Sequence, residues 1–423
     1  MYNFKELKVF LIVSIIWLSG MFFYFRNTPY NWRVYDFDGH IQYSEILATR
    51  HKLPAPYEGW ETWQPPAYYF LNSFIFPASL KSSDKLLHIN CVRGLSVFYG
   101  LFAIFIIFWF IKKMTTNSFI QSLVLLFIAT TPMFVIMFST YNNDSLAILL
   151  SLTVLALGYK LYFQWSKKTA FFLFLAASLG LYSKLTAGGA ILTVIVICFW
   201  SLKKNKESQG LEKKIIFILL LALASLLPWT LLHNKPYSGK LFPNNAGGLA
   251  ATLRIDDRPL IDRFLPTTIF KNFETVWKDP WNHAWPRETT KRYSYWSYIF
   301  ISSVLSVFHF DTPHIGFAWL FLWVHLIAYL AALKVAFKSN FSKLSFAVVA
   351  LAHLIDIAYL TRNPFACAME YRYICWSWIG WAGLYTNCLL NEKQFLKSVL
   401  ARLFIIAIVA QIYFMIVVRG TES

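Results

Sequence analysis

The chain is a series of long apolar runs separated by short polar segments. Most runs hold about 18–24 residues, which matches the roughly 20 residues that a helix needs to cross a bilayer core. The pattern therefore predicts an all-α polytopic membrane protein with about eleven transmembrane helices, within a range of about 10–13. The predicted spans lie near residues 9–25, 94–111, 118–138, 145–163, 169–183, 187–202, 215–232, 314–337, 342–360, 373–390 and 401–418.

The short segments on the two sides of these spans differ in charge. Those on one side carry 18 lysines and arginines, and those on the other side carry four. Because basic residues concentrate in cytoplasmic loops, the first set is predicted to face the cytoplasm. Two long loops, 26–93 and 233–313, then lie outside, together with most of the acidic residues. Chemistry is therefore predicted at the outer face, and a lysine-rich chain without an obvious targeting peptide favours a bacterial inner membrane.

Composition narrows the class of protein. Of the 423 residues, 57% are hydrophobic and 14% are charged, whereas an average soluble domain has about 25% charged residues. A disordered chain is excluded, and an ordinary cytosolic enzyme is disfavoured. The net charge of +18 could indicate nucleic-acid binding. However, the lysines lie in short clusters between apolar runs, as membrane topology requires, so no nucleic-acid partner is predicted.

Neither a metal site nor a nucleotide site is indicated. The five cysteines include no CxxC pair, so a zinc cluster is not expected. The phosphate-binding pattern GxxxxGK[ST] does not occur. Because nucleotide sugars and ATP are not found outside the cytoplasm, a reaction there needs a pre-activated substrate or an ion gradient. No metal and no cofactor are therefore predicted.

The first long loop holds the most informative polar residues. Asp36 and His40 are spaced i, i+4, so on a helix they share one face. Apolar positions from Ile41 to Leu47 give that helix a stripe typical of a helix on a membrane surface. Asp36 or Asp38 suits the N-cap of this helix; a cap needs only one of them, and the other is a candidate base. The segment WETWQPPAYY follows, and its two prolines suit the start of a second short helix.

These elements, in this order, resemble the GT-C class of membrane glycosyltransferases, and most closely the branch of protein O-mannosyltransferases and the lipid A aminoarabinose transferase. The matching motifs are DxDGH after the first span, WQPPAYY (63–69), Asn142-Asn143-Asp144 after the third span, SKLTAG (183–188) and RNPFACAMEYRYI (362–374). The resemblance covers roughly residues 1–390 and implies one GT-C-like transmembrane domain. Relatives often carry Asp-Glu where this chain has Asp36-Phe37-Asp38, which leaves open which aspartate is the base.

The resemblance implies transfer of a sugar from a polyprenyl-phosphate donor to a hydroxyl on a glycan, lipid or protein, with inversion. Asp36 is the preferred base because it lies four residues before His40, as the first acid of the family does, and Asp38 supports it. The candidate ligands for sugar or acceptor are His40, Gln64, Asn143, Asp144 and Glu370. The candidate ligands for the lipid phosphate are Lys184, Arg362, Tyr371 and Arg372. Two alternatives are structural: Asp144 also suits a helix cap, and Glu370 can pair with an arginine and fix its loop.

Three other functions fit parts of the pattern. A lipid-linked oligosaccharide polymerase or ligase would use a diphosphate donor instead. A transporter or flippase would place ionisable residues near the bilayer midplane and often show repeated halves, whereas the acids here gather in outer loops without an internal repeat. A catalytically silent subunit is the third. The segment 293–310 is apolar, and whether it crosses the membrane decides the side on which Arg372 lies.

Overall fold

The structure is a computed structural model that describes residues 4–31, 33–34, 36–75, 82–204, 209–243, 254, 259–265, 294–306 and 315–417. Throughout these residues the regular secondary structure is helical, and the sole β-type pairing is a bridge between Arg254 and Phe365. Most of the second long loop lies outside the described residues, including its aromatic and polar cluster from Trp277 to Arg287. The predicted all-α polytopic class is confirmed.

The helices are as follows in chain order: α1 Phe4–Asn27, α2 Phe37–Arg50, α3 Ala67–Ser73, α4 Ser82–Lys112, α5 Ser118–Ala129, α6 Pro132–Met137, α7 Asp144–Phe163, α8 Lys167–Ser183, α9 Gly188–Lys204, α10 Gln209–Ala224, α11 Leu227–Trp229, α12 Lys235–Ser238, α13 Leu260–Phe264, α14 Tyr295–Leu305, α15 Ile315–Lys334, α16 Asn340–Arg362, α17 Trp378–Asn391 and α18 Gln394–Val417. Short 3₁₀ helices cover Leu185–Ala187, Ala366–Met369 and Tyr371–Ser377. A π-helical turn, Thr230–Asn234, joins α11 to α12.

Within the described residues, eight helices are long and apolar enough to cross a membrane. They correspond to eight of the eleven predicted spans: Leu7–Asn27, Lys85–Lys112, Asp144–Phe163, Leu185–Lys203, Gly210–Ser238, Gly316–Lys334, Asn340–Arg362 and Gln394–Val417. The other three are shorter or interrupted. The span predicted at 118–138 divides into α5 and α6 because Pro132 lacks an N–H and disfavours helical backbone in the residue before it. α8 has 17 residues, and the span predicted at 373–390 starts as a 3₁₀ helix before the 14 residues of α17.

The described chain forms two compact units. The first, which we call the acidic-loop unit, comprises residues 34–106 and 138–249. In it α7 and α8 run antiparallel, joined by Gln164–Ser166, and both pack against α10, while α9 packs on α7 and α10. Close packing of α7 and α9 depends on Gly158, since a Cβ there would lie 3.0 Å from Val194. The start of α7, the end of α8 and the start of α9 therefore lie at one end, and Lys160 near the end of α7 and Lys203 near the end of α9 lie at the other.

Two short helices of the first long loop belong to the same unit. α2 and α3 contact each other, and α3 also contacts α8. The apolar stripe of α2, from Ile41 to Leu47, is buried within the protein rather than laid on a membrane surface. The loop is therefore held by protein packing, which gives its polar side chains defined positions.

The second unit, which we call the terminal unit, comprises residues 1–33, 107–137 and 250–423. Its helices α1, α5, α15, α17 and α18 pack on one another, α16 packs on α17, and α14 packs on α15 and on the 3₁₀ helix Tyr371–Ser377. α14 has 11 residues, or about 16 Å at a rise of 1.5 Å per residue. Since a bilayer core is about 30 Å thick, this helix within the segment 293–310 is too short to cross.

Candidate active site

Asp36 occupies the N-cap position of α2 without acting as a side-chain cap. Its backbone is left-handed, with φ 51° and ψ 34°, and its carboxylate accepts no capping hydrogen bond from the helix. The carboxylate Oδ1 instead accepts a hydrogen bond of 3.0 Å from the indole Nε1 of Trp60. Asp38 lies in the first turn of α2 and is exposed. The carboxylate of Asp36 therefore does not serve as the cap of α2.

Trp60 is carried by a tight turn that packs directly beneath the start of α2. The hydroxyl of Thr62 accepts a hydrogen bond from the backbone N–H of Gly59 and donates one to its carbonyl, both at 2.9 Å. A Cβ on Gly39 would lie 2.8 Å from Cγ of Glu61 and 3.2 Å from Cβ of Trp60. The glycine of the DGH motif is therefore required by the close approach of α2 to this turn.

Replacing Gly39 with alanine is expected to lower the free energy of unfolding by about 1–3 kcal/mol, because the new methyl group overpacks the turn. The matched control is Gly94→Ala on α4, where an added Cβ meets nothing within 4 Å. That control is expected to raise stability by about 0.5–1 kcal/mol, the ordinary helical preference of alanine over glycine. Thermal unfolding in detergent micelles measures both, and equal effects of the two substitutions would contradict the proposed packing.

A buried hydrogen-bonded network joins the first long loop to Asn143 at the start of α7. The loop contributes four side chains to it, those of His40, Glu61, Gln64 and Tyr69. Nδ1 of His40 lies 2.7 Å from the hydroxyl of Tyr69. The amide nitrogen of Asn143 lies 3.3 Å from Oε1 of Gln64 and 3.4 Å from the Tyr69 hydroxyl. The amide of Gln64 donates to Glu61 at 2.8 Å. Three predicted site residues, His40, Gln64 and Asn143, are thus brought into one network.

Tyr69 and Glu61 complete this network although neither was among the predicted site residues. Burial raises the pKa of Tyr69 well above its usual range, and the nearby Glu61 carboxylate raises it further. The phenol therefore stays protonated and can both donate and accept a hydrogen bond. Glu61 itself is only 2% exposed. The spacing of Glu61 three residues before Gln64 was the sequence signal available for it, and by itself it is weak.

A buried ion pair lies at the same end of the acidic-loop unit. Nζ of Lys184, which follows α8, lies 2.7 Å from Oδ1 of Asp144, the first residue of α7. The two side chains are 8% and 2% exposed. Asp144 also lies where the dipole of α7 favours negative charge. Antiparallel packing of α7 and α8 brings this lysine and this carboxylate together from positions 40 residues apart.

A second buried pair lies in the terminal unit, next to the 3₁₀ helix Tyr371–Ser377. Nε of Arg372 lies 3.0 Å from a carboxylate oxygen of Glu370. The guanidinium also donates to the hydroxyl of Tyr373 at 3.0 Å and lies 4.9 Å from the centre of that ring. The structural alternative for Glu370, pairing with an arginine, is therefore observed.

The remaining predicted phosphate ligands differ in burial. Tyr371 is buried, its hydroxyl lies 2.6 Å from that of Ser377, and its backbone N–H donates to the hydroxyl of Ser302. Arg362 is exposed at the end of α16, where a cation complements the helix dipole. Tyr371 thus lies beside Arg372, whereas Arg362 is a surface residue.

Asp356 of α16 is buried beside two polar side chains of the terminal unit. It is hydrogen-bonded to Tyr295, whose hydroxyl lies 2.9 Å from Nδ1 of His353. Because a carboxylate within an apolar helix needs a polar partner, Tyr295, the first residue of α14, fills that role here. No group of three His, Cys, Asp or Glu residues in the described ranges could hold a metal ion.

Comparison with known proteins gives matches among solved structures. No protein-family model matches the sequence, and no curated protein does. The oligosaccharyltransferase AglB from Archaeoglobus fulgidus, in complex with an inhibitory peptide and a dolichol-phosphate, matches with a TM-score of 0.54 and 12% identity over 99% of this chain. ArnT from Cupriavidus metallidurans bound to undecaprenyl phosphate gives a TM-score of 0.43 and 14% identity over 91% of this chain and 77% of its own.

This chain spans 57% of the length of AglB. The apo form of the same oligosaccharyltransferase gives a TM-score of 0.54 and 11% identity over 100% of this chain and 57% of its own. The chain therefore shares the fold of this oligosaccharyltransferase over the matched length.

Proposed function

We propose that this protein is an integral-membrane glycosyltransferase that moves a sugar from a polyprenyl phosphate to an acceptor hydroxyl. The observation that carries the proposal is the state of Asp36. A left-handed non-glycine residue costs roughly 1–3 kcal/mol, and a capping hydrogen bond would return about 1 kcal/mol. The carboxylate of Asp36 forgoes the cap and is held by Trp60 instead. Strain of this kind is common where a side chain is needed for chemistry.

The proposed reaction is a single displacement. The acceptor oxygen attacks the anomeric carbon, the bond from that carbon to the phosphate oxygen breaks, and the electron pair leaves with the phosphate. Asp36 takes the proton of the acceptor hydroxyl as general base, with Asp38 in support. Because a phosphate is a weakly basic leaving group, neither a metal nor a cofactor is needed. Attack opposite the leaving group inverts the anomeric centre.

Lys184, Arg372 and Tyr371 are the proposed contacts of the lipid phosphate, with Arg362 as an outer one. Cations stabilise the charge that grows on a leaving phosphate, and arginine can bind phosphate in a bidentate manner. In each unit the buried cation has a carboxylate partner, Asp144 or Glu370. The donor class is further supported by AglB, whose complex contains a dolichol-phosphate.

The predicted ligands of the sugar or acceptor each hold another side chain of the protein in place, which favours a supporting role for them. They are His40, Gln64, Asn143, Asp144 and Glu370. We assign the first three to the network that holds the loop around Asp36 in place. Asp144 and Glu370 hold the two cations. Contact with the substrate then belongs chiefly to the more accessible residues Asp36, Asp38 and Trp60.

We further propose a bacterial inner membrane with the site on the outer side. In the acidic-loop unit the lysine-rich ends of α7 and α9 lie opposite the end that carries Asp144 and Lys184. Lysine-rich ends face the cytoplasm in most membrane proteins. The acceptor is a hydroxyl of a glycan, a lipid or a protein.

Transfer from a panel of radiolabelled polyprenyl-phosphate sugars in membranes that contain the protein tests the proposal. We expect label to move from one monophosphate donor, and NMR of the product should show an inverted anomeric linkage. The panel includes a diphosphate-linked oligosaccharide, because the GT-C fold shared with an oligosaccharyltransferase makes oligosaccharide transfer the second candidate. Transfer from that donor alone would select the second candidate. No transfer from any donor by folded protein would contradict both.

A further inference from the structure

We propose that Trp60 is a binding platform for a pyranose ring and that its indole N–H sets the direction of the Asp36 carboxylate. The inference rests on the proposed glycosyl transfer and names the residue that positions sugar and base relative to each other. Trp60 is 39% exposed, and its Nε1 donates to Oδ1 of Asp36 at 3.0 Å. A large open aromatic surface therefore lies directly beside a carboxylate.

Trp60 is fixed by its surroundings although its ring is partly open. In the Gly59–Thr62 turn the Thr62 hydroxyl forms hydrogen bonds with both the N–H and the carbonyl of Gly59. From the other side α2 approaches closely, since a Cβ on Gly39 would lie 2.8 Å from Cγ of Glu61 and 3.2 Å from Cβ of Trp60. The start of the Trp60 side chain is therefore packed against α2. A platform needs this rigidity, because a mobile side chain would have to be immobilised on binding, and the lost conformational entropy would weaken the affinity for the sugar.

A tryptophan in a membrane protein is more commonly an interfacial anchor. An anchor keeps its apolar ring in the lipid and its N–H, the one polar group of the side chain, towards water or headgroups. In Trp60 the N–H is bound to a carboxylate of the protein, and the residue is 39% exposed. Because this N–H is already satisfied within the protein, it needs no headgroup partner, and an accessible indole beside a carboxylate favours a ligand that meets both groups.

A pyranose has that combination of surfaces. Its axial C–H bonds form an apolar face with positive polarisation, which is attracted to the negative face of an aromatic ring. Its hydroxyls lie around the edge and donate hydrogen bonds to a carboxylate, where charge strengthens them. The ring of the donor sugar and that of a glycan acceptor share this chemistry. In either case one residue sets the position of the sugar and the direction of the base.

The two functions of Trp60 can be separated by substitution. Trp60→Phe keeps a ring but removes the N–H, so the carboxylate of Asp36 loses the hydrogen bond from the indole. Trp60→Ala removes both. We expect Trp60→Phe to lower kcat by about tenfold to a hundredfold, the range for loss of a hydrogen bond to a charged group, with KM changed less than threefold. We expect Trp60→Ala to raise KM by a further 5–10-fold, roughly what ring stacking contributes.

Steady-state kinetics in nanodiscs, with donor and acceptor varied in turn, measures both parameters. A rise in the donor KM places the donor sugar on Trp60, and a rise in the acceptor KM places a glycan acceptor there. The matched control is Trp63→Phe. Trp63 lies on the same segment, and in the described residues its indole makes no hydrogen bond to Asp36. For this variant kcat and KM are expected within twofold of the wild-type values. Thermal unfolding confirms that each variant is folded.

If the wild type transfers sugar and both Trp60 variants have the same kcat and KM as the wild type, this inference is overturned and the proposed function stands. A wild type that transfers no sugar would instead refute the proposed function. In that case saturation-transfer NMR with a panel of methyl glycosides still decides the platform, because it needs no turnover. Contact of the ring protons with the wild type and its loss in Trp60→Ala would support the platform, and equal signals from both proteins would overturn it.

Discussion

Asp36→Asn is expected to lower kcat for sugar transfer by about 10²–10⁴-fold, the usual contribution of a general base. The amide keeps the shape of the side chain and can still accept the hydrogen bond from Trp60, but it cannot take a proton from the acceptor hydroxyl. The donor KM should change little because the substitution leaves the phosphate contacts in place. Initial rates at saturating donor, with radiolabelled product collected over time, measure the loss.

Two further substitutions identify the source of this loss. Glu45→Gln makes the same chemical change on α2, where Glu45 is partly exposed and 3.6 Å from Lys85, and it should retain wild-type kcat within twofold. Asp38→Asn should lower kcat only several-fold if Asp38 supports the base. A full loss with Asp38→Asn and near-normal turnover with Asp36→Asn would show that the roles of the two aspartates are exchanged.

Breaking the buried ion pair is expected to have the largest effect on stability. Asp144→Ala should lower the free energy of unfolding by about 3–5 kcal/mol, because it leaves the Lys184 ammonium enclosed without the carboxylate that lies 2.7 Å away. Lys184→Met should lower the free energy of unfolding by a similar amount, because the buried Asp144 carboxylate then lacks the ammonium group. Denaturant-induced unfolding in mixed micelles, followed by circular dichroism, gives the two free energies.

The double variant Asp144→Leu with Lys184→Met separates charge burial from packing. Replacement of a whole buried pair by apolar groups of similar size is often neutral, so most of the lost stability should return while transfer stays low through loss of the proposed phosphate contact. The exposed pair of Glu45 and Lys85 is the control, and Glu45→Gln should change stability by less than about 1 kcal/mol. Single variants as stable as wild type would mean that the pair is not buried as described.

Several features of this protein follow from local sequence alone. The length of each apolar run sets where a helix can cross a bilayer, and eight described helices satisfy the criterion. Short loops force neighbouring spans to run antiparallel, so the start of α7 and the end of α8 had to share an end. The sequence thus placed Asp144 and Lys184 on one side, although it assigned them to different ligands and did not predict that they pair.

Other features depended on contacts that local patterns do not encode. Two predicted spans are interrupted, one at Pro132 and one by the 3₁₀ helix Tyr371–Ser377. Such interruptions are tolerated within a membrane where neighbouring helices cover the freed backbone groups, and local patterns do not show that cover. The apolar stripe of α2 looked like a membrane-surface pattern, since period alone does not distinguish lipid from protein as the buried environment. Glu61 carried only the weak signal of its spacing from Gln64.

The backbone conformation and the hydrogen bond of Asp36 illustrate the difference between what local sequence determines and what tertiary structure decides. The sequence determined that an aspartate pair begins an amphipathic helix and that one of the two is not needed as a cap. Only the tertiary structure decided that Asp36 adopts left-handed backbone and that its carboxylate meets an indole 24 residues away. The physical reason is that helix formation is governed by interactions within a few residues, whereas the direction of a side chain at a helix end is set by whichever distant group packs against it.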